Sequence, residues 1–374
     1  MKLGSAVKKR ILEILPRFHC GGAERFVVDL CNELAASCDV TILCVTKIEE
    51  GDFLVKELRP EVKLIRLERR QNFWSDFAAM PAVWRIISQL HPDVVHCHLG
   101  GILLAGLAIL SHIPRVPYVY TVHNNAFVDA GNRLLIRRIL FRFGRVYPVA
   151  ISEESQESFT QAYGFSAPLI VNGTRDARIS PDSLEAVREE VSSWRSSPDS
   201  QLLLNIARIV PQKNQLALAR AAANVSAEGV QLDVVFIGEA VHPEIRDEIV
   251  KLNCPHLHIA GLKKAPLPYL ALADALILPS VFEGLPITLL EAFSLGVPAC
   301  VSPIGGMKDV VRDGVNGLVS AGTSEGDIAE LLRRWCALSR EKRIEMGRAA
   351  QKSYEPYSIE KCAVSYIELM DELK

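Results

Sequence analysis

A chain of 374 residues is longer than one hydrophobic core usually supports, and 49% hydrophobic against 23% charged residues is an ordinary globular balance, so two domains are expected and long disorder is not. The net charge of -2 divides into +3 over residues 1–172 and -5 over 173–374, an asymmetry too mild for a nucleic-acid binder. Nine cysteines without a Cys-x-x-Cys pair give neither a disulfide framework nor a zinc site, and no apolar run reaches the roughly 20 residues of a membrane span, so a cytoplasmic protein is expected.

Lys8-Lys9-Arg10 before Ile11-Leu12-Glu13-Ile14-Leu15 mimics a signal peptide, but Glu13 and Arg17 leave too short an apolar core. The run reads instead as a first strand. Further short apolar runs at 40–45, 62–67, 94–98, 118–123 and 149–152 alternate with helical stretches, the pattern of a parallel sheet wrapped by helices. Loops at the carboxyl ends of such strands line a binding crevice. After the first run, Gly21 and Gly22 open a helix to about Ala36, where their backbone amides can approach an anion; a plain tight turn is the simpler explanation. The spacing is not Gly-x-Gly-x-x-Gly, which argues against a nicotinamide or flavin enzyme.

His96 and His98 occupy alternate positions of one strand, so their imidazoles face the same way. Two such histidines suggest a metal, but no third ligand has a recognisable spacing. They read either as packed core histidines or as strand-end residues bordering a cleft. His123 likewise ends an apolar run. From Arg133 to Arg145, Arg138, Arg142 and Arg145 fall near one face beside large apolar residues, a pattern that suits either an anionic lipid surface or a plain helix burying Leu135, Ile139 and Phe143. Asn172-Gly173-Thr174 reads as a turn at the passage between domains.

A second alternating series follows at 202–207, 232–237, 256–260, 275–278 and 298–301, giving a second doubly wound domain. After its first strand, Arg208 and Lys213 place two positive charges at the mouth of a crevice, suited to a leaving group that develops negative charge. No Asp-x-Asp pair occurs to hold a divalent ion for a nucleotide, so no metal and no cofactor are expected. The run 275–278 leads into Ser280-Val281-Phe282-Glu283-Gly284-Leu285-Pro286, with Pro286 suited to a first helical position and Gly296 to the helix end. Free amides at Gly284 and Leu285 favour anionic or hydroxyl-rich ligands, and Glu283 beside them is placed to grip hydroxyls. The tail from Ser358 reads as a helix packing through Ile359, Val364, Tyr366, Ile367 and Met370.

Glu283 and Glu291, seven residues between them, in a Ser-x-x-Glu-Gly-Leu-Pro frame followed by Gly305-Gly306 and Asp313-Gly314-Val315-Asn316-Gly317, closely resemble the retaining glycosyltransferases of family 4. The resemblance implies the GT-B fold: α/β, with two doubly wound Rossmann-like domains, an acceptor-binding one over 1–172 plus 358–374 and a donor-binding one over 173–357. It implies that Arg208 and Lys213 bind the donor diphosphate, that Gly21 and Gly22 approach it, that Glu291 takes the ribose hydroxyls, and that the backbone near Leu262 meets the nucleobase. It places His123 near the donor sugar and the attacking hydroxyl, although Asn124 stands where the family commonly has aspartate, and it makes His96 and His98 candidates for the acceptor cleft. The activity it implies is metal-independent transfer of a hexosyl or N-acetylhexosaminyl group, from a UDP-sugar by preference, to a glycan or lipid-linked acceptor, by an enzyme cytoplasmic or peripheral at the inner face of the membrane. A GT-B epimerase or phosphorylase, and a sugar-nucleotide-binding partner without activity, are the competing expectations.

Overall fold

The computed structural model describes residues 8–18, 21–48, 52–69, 73–112 and 115–373. His19 and Cys20, in the loop before Gly21, lie outside them. The chain divides into two compact units: the first runs to Arg175 and resumes at Tyr357, and the second is Asp176–Pro356.

The first unit is built on strands β1 (Arg10–Leu15), β2 (Asp39–Thr46), β3 (Lys63–Arg69), β4 (Val94–His98), β5 (Tyr118–Val122) and β6 (Val146–Ala150), and the second on β7 (Gln201–Ile206), β8 (Leu232–Ile237), β9 (Leu257–Gly261), β10 (Ala275–Leu278), β11 (Ala299–Val301) and β12 (Gly317–Val319). Every pairing is parallel, in the orders β3-β2-β1-β4-β5-β6 and β12-β11-β10-β7-β8-β9. Parallel strands need helical crossovers that cover both faces, which is why their sequences read as continuous apolar runs rather than alternating ones. In each unit the strand order reverses once, between β1 and β4 and between β7 and β10. The loops leaving those carboxyl ends carry Gly21-Gly22 and Leu99 in one unit, Arg208–Lys213 and Ser280–Glu283 in the other. A reversal of this kind opens a crevice for ligand.

Several local expectations shift. The sixth strand ends at Ala150, because Ser152 takes an extended backbone and caps the helix Glu153–Tyr163, its hydroxyl accepting from the Ser155 amide. The helix after Glu283 is Ile287–Ser294, with Pro286 as its cap rather than its first residue, since ψ of 125° holds Pro286 extended. On the closing helix Ile359–Glu372, Ile359, Tyr366 and Met370 are buried, but Val364 is exposed and Cys362 and Ala363 take the inward face. Strand β12 is three residues long, too short to give a periodicity signal.

The helix Leu134–Phe143 turns opposite to the core-packing alternative. Leu135, Ile139 and Phe143 are exposed, Leu135 by 71%, while Arg137, Leu140 and Phe141 point inward. Arg137 is tolerated there because Asp129 pairs with it and the Tyr120 hydroxyl lies within hydrogen-bond reach. Among the described residues no helix is long and apolar enough to cross a membrane.

Gly173 and Thr174 belong to the first unit. Thr174 bridges to Ser358 as a parallel strand pair, and a Cβ on Gly173 would come within 2.8 Å of Cys362 and the Ile359 backbone, so only glycine lets the two segments approach. In the second unit, the Asp313–Gly317 turn is closed by Asn316. Its buried amide accepts from the Arg312 N–H at 2.7 Å and donates to the Val310 carbonyl at 3.0 Å. Asn316→Ala would strand both backbone groups; unfolding in urea should show a loss of about 2–4 kcal/mol, and a loss within experimental error would mean that water replaces the amide.

Candidate functional site

In the second unit, three loops converge on Glu283. The turn Pro211–Lys213 follows β7, and Asn214 then takes the left-handed conformation, its side chain donating to the carbonyl of Pro279 at 3.1 Å. Val281 donates its amide to the Gln212 carbonyl at 2.9 Å, and the Gln212 side-chain amide donates to the Phe282 carbonyl at 2.9 Å. These bonds bring the Lys213 ammonium onto Oε1 of Glu283, which also accepts from the Ser280 hydroxyl at 2.9 Å. The third loop supplies Gly305, at φ +57°. A Cβ there would lie 2.1 Å from the Glu283 carbonyl oxygen, so the glycine is dictated by close approach as well as by backbone conformation. Gly306 then donates its amide to the Gly284 carbonyl at 2.6 Å.

The result is a nearly buried carboxylate, 7% exposed, paired with a cation and held from three sides. Among the described residues the amides of Gly284 and Leu285 donate to no acceptor of the chain, which leaves two donors for a ligand. Arg208 is exposed; its carbonyl is fixed by the Gln215 side chain at 2.8 Å, while its guanidinium has no ion-pair partner among the described residues. Glu291 is half-buried in the first turns of the helix Ile287–Ser294, and Leu262 stands half exposed just past β9, after Gly261 in the left-handed conformation. One positive charge is thus committed to Glu283 and a second, on the loop after β7, stands uncommitted, while two amides just ahead of the Pro286 cap are free.

In the first unit, Gly21 caps the helix Gly22–Leu34 with an extended backbone, and a Cβ on it would meet the Glu24 carboxylate at 2.3 Å. His96 and His98 do not border a cleft. Both side chains are wholly buried, because β4 is a central strand whose histidine face is covered by Phe26 of the helix Gly22–Leu34 and Tyr366 of the closing helix. What buries them is a polar network that spacing alone does not reveal. Strand register sets Glu13 of β1 beside His96 of β4, and Thr121 of β5 beside His98. Oε2 of Glu13 lies 3.0 Å from Nδ1 of His96 and 2.8 Å from Nε2 of His98; Nε2 of His96 is 2.8 Å from Thr121 Oγ1, itself 2.7 Å from the Tyr366 hydroxyl. The network reaches His123, half-buried just past β5, whose Nε2 is 3.0 Å from Nδ1 of His98.

Sequence reasoning missed Glu13, Thr121 and Tyr366. The signal available was Glu13 itself, a lone carboxylate inside an otherwise apolar central strand, which must have a partner. Among the described residues, Glu13, His96 and His98 are the one group whose oxygen and nitrogen atoms come near enough to share an ion, but each of those atoms is taken by a hydrogen bond to another of the three.

Residues 20–178 match the family described as Glycosyltransferase Family 4, and residues 187–353 match Glycosyl transferases group 1. The chain is a family 4-like glycosyltransferase of the GT-B type. It is 24% identical over 327 residues to the putative teichuronic acid biosynthesis glycosyltransferase TuaC of Bacillus subtilis, covering 79% of this chain and 80% of that one. It is 23% identical over 299 residues to the UDP-Gal:alpha-D-GlcNAc-diphosphoundecaprenol alpha-1,3-galactosyltransferase of Escherichia coli, covering 75% and 76%. The fold is that of Anabaena HepE, solved in complex with UDP and glucose, at TM-score 0.82 and 20% identity over 98% of this chain and 100% of that one.

The buried network makes this glycosyltransferase sensitive to acid. Burial pushes the Glu13 carboxyl up, but His96 and the hydrogen bonds from His96 and His98 outweigh it and hold the group at about 2. Burial, then the neighbouring His96, lowers His98 to about 4 against the opposing pull of Glu13. As pH falls below 6.5 the unfolded chain protonates His98 before the folded chain does, and from 4.5 down to about 2 the same holds for Glu13, so stability declines through both windows. Urea titrations from pH 7 to pH 3 should show this decline, about 2 kcal/mol of it from Glu13 by pH 3, and Glu13→Gln should flatten the lower limb. An unchanged lower limb in that variant would remove Glu13 from the account.

Proposed function

We propose that this glycosyltransferase transfers a hexosyl or N-acetylhexosaminyl group from a nucleoside diphosphate sugar, UDP-sugar by preference, to a hydroxyl of a glycan or lipid-linked glycan, with retention of configuration and without a metal. The observation that carries the reading is the Lys213–Glu283 pair, locked by three loops and followed directly in the chain by the unengaged amides of Gly284 and Leu285, with the exposed Arg208 on the same loop as Lys213. The Escherichia coli relative's UDP-galactose and diphosphoundecaprenol substrates, and UDP with glucose in HepE, support the donor and acceptor classes.

In this reading the C1–O bond to the diphosphate breaks while the acceptor oxygen bonds C1 from the same face, and the acceptor's proton passes to the departing phosphate oxygen. Arg208 and Lys213 neutralise the charge that grows on the diphosphate, the part a divalent ion would otherwise play. Lys213 reaches the phosphate by loosening its hold on Glu283, which frees that carboxylate to accept hydrogen bonds from sugar hydroxyls. Gly284 and Leu285 donate to the sugar or phosphate, Glu291 accepts from the ribose, the backbone at Leu262 meets the base, and the amides of Gly21 and Gly22 approach the diphosphate. His123 hydrogen-bonds the sugar or the incoming hydroxyl.

UDP at about a hundred times its dissociation constant should stabilise the chain by about 2.7 kcal/mol, with the thermal midpoint shift unchanged by chelator and absent with GDP or ADP. A shift that disappears with chelator would overturn metal independence, and a response to another nucleotide alone would overturn the donor assignment. Glu283→Ala should lower transfer from UDP-sugar by at least about a hundredfold while UDP still stabilises the protein; retained transfer would sink the role given to Glu283.

Peripheral contact with an anionic membrane belongs to the same reading. Leu135, Ile136, Ile139 and Phe143 stand exposed on one helix, Phe127 and Val128 on the neighbouring helix Ala126–Ala130, and Arg138 and Arg142 on the same surface stretch. Apolar side chains ringed by arginine suit the headgroup boundary of an acidic leaflet. Replacing Leu135, Ile139 and Phe143 together with serine should weaken sedimentation with phosphatidylglycerol vesicles by roughly 150-fold, at about 1 kcal/mol for each partly exposed side chain, with the thermal midpoint nearly unchanged. Equal sedimentation of both proteins would exclude this helix as the membrane face.

A further inference from the structure

The buried network of the first unit is more elaborate than packing requires. A parallel sheet gains nothing from a carboxylate on its central strand, and a buried charge is costly unless paired. Here a carboxylate, a buried imidazole and a half-buried one are placed in line, Glu13 Oε2, His98 Nε2 at 2.8 Å, then His98 Nδ1 and His123 Nε2 at 3.0 Å, while the buried His96 ring branches from the same carboxylate. The three rings are also packed together, His98 to His123 at 5.2 Å between centroids, and Phe26 stands edge-on to His123 at 5.8 Å.

We infer that Glu13 determines, through His98, which ring nitrogen of His123 carries the proton, leaving Nδ1 of His123 as a hydrogen-bond acceptor. An ionised carboxylate can only accept, so both His96 Nδ1 and His98 Nε2, each within 3.0 Å of Oε2, must donate to it. A neutral His98 that donates from Nε2 has a bare Nδ1, and a bare nitrogen 3.0 Å from His123 Nε2 requires that His123 donate there. His123 then has its proton on Nε2 and a lone pair on Nδ1, which has no hydrogen-bond partner among the described residues.

The electrostatics agree with the geometry. Glu13 is held ionised far below neutrality, and His98 and His123 are both shifted toward their neutral forms, His123 by desolvation first and then by His98 and His96. Among the described residues the groups facing His98 and His123 are Glu13, His96, Thr121, Tyr366 and Phe26, with no lysine or arginine among them, so none of these supplies a proton that would reverse the chain. Glu13 is a positioning residue: it touches no substrate but sets what His123 can offer one. On the transferase reading, His123 accepts a hydrogen bond from a sugar or acceptor hydroxyl and donates none to it.

The tautomer is read directly by long-range proton–nitrogen correlation on the full chain labelled with nitrogen-15 histidine at pH 7, His123 being assigned by the signals lost in His123→Gln. The wild-type protein should show Nε2 protonated and Nδ1 bare. Glu13→Met keeps the length of the side chain but removes the acceptor; His98 should then move its proton to Nδ1 and donate to His123, whose own proton shifts to Nδ1. Thr121→Val, which cuts only the His96 arm, should leave His123 unchanged. A wild-type His123 protonated on Nδ1 overturns the inference even where the methionine variant fails to fold, as does a His123 tautomer unmoved by Glu13→Met. Elemental analysis finding one equivalent of metal in the purified chain would overturn it too, because an ion between Glu13, His96 and His98 would replace the hydrogen bonds. None of these readouts needs sugar transfer, so they stand apart from the transferase reading; if both hold, Glu13→Met should also lower kcat by roughly a hundredfold with UDP binding retained.

Discussion

Parallel pairing is the constraint from which the rest of each unit follows. Because all six strands of a sheet run the same way, every strand delivers its carboxyl end to one edge, and the helical crossovers must occupy both faces. Chemistry-bearing residues can then stand only at that edge or, at a cost, inside the sheet. The second unit uses the first option: Arg208, Lys213, Ser280 and Glu283 all come from loops leaving β7 and β10, at the one place where the strand order reverses. The first unit uses both. Gly21, Gly22 and His123 lie just beyond strand ends, while Glu13, His96, His98 and Thr121 sit within the strands and depend on one another for satisfaction.

The two arrangements solve the same problem differently. Glu283 is nearly buried and neutralised by a cation, on loops fixed by backbone contacts at Gln212, Gly305 and Gly306. Glu13 is wholly buried and, among the described residues, has no lysine or arginine paired with it; its charge is met by imidazole N–H groups. A lysine on a turn can exchange one partner for another when an anion arrives. A carboxylate inside a sheet cannot, because its partners are fixed by strand register, and this suits it to holding a proton pattern rather than to changing one.

How much of this could be read from the sequence depended on how local the signal was. Apolar runs bounded by glycine and proline gave eleven of the twelve strands of the two sheets, missing only the three residues of β12. The Ser280–Pro286 punctuation and the Arg208–Lys213 charges identified the loops that meet at Glu283, because each loop carries its own signature. The pairing of Glu13 with His96 and His98 carried none: the residues are 83 and 85 positions apart and are joined by the register of β1 against β4, which no spacing along the chain records. The helix Leu134–Phe143 failed for another reason. Its apolar residues outnumber its buried positions, so a periodicity argument could not tell which of them face inward, and the inward face is shared by Arg137 with its partner Asp129.

The bridge between Thr174 and Ser358 has a topological meaning. The chain leaves the first unit just after Thr174 and re-enters it just before Ser358, and these two points are hydrogen-bonded neighbours, Thr174 donating its amide to Tyr357 and Ile359 donating to Thr174. Arg175 adds an ion pair to Glu57 at the same junction. The whole of the second unit is therefore an insertion whose ends are already closed on each other by the host. Its own folding begins from a loop with a fixed gate, and the first unit needs little more than a turn to be continuous without it.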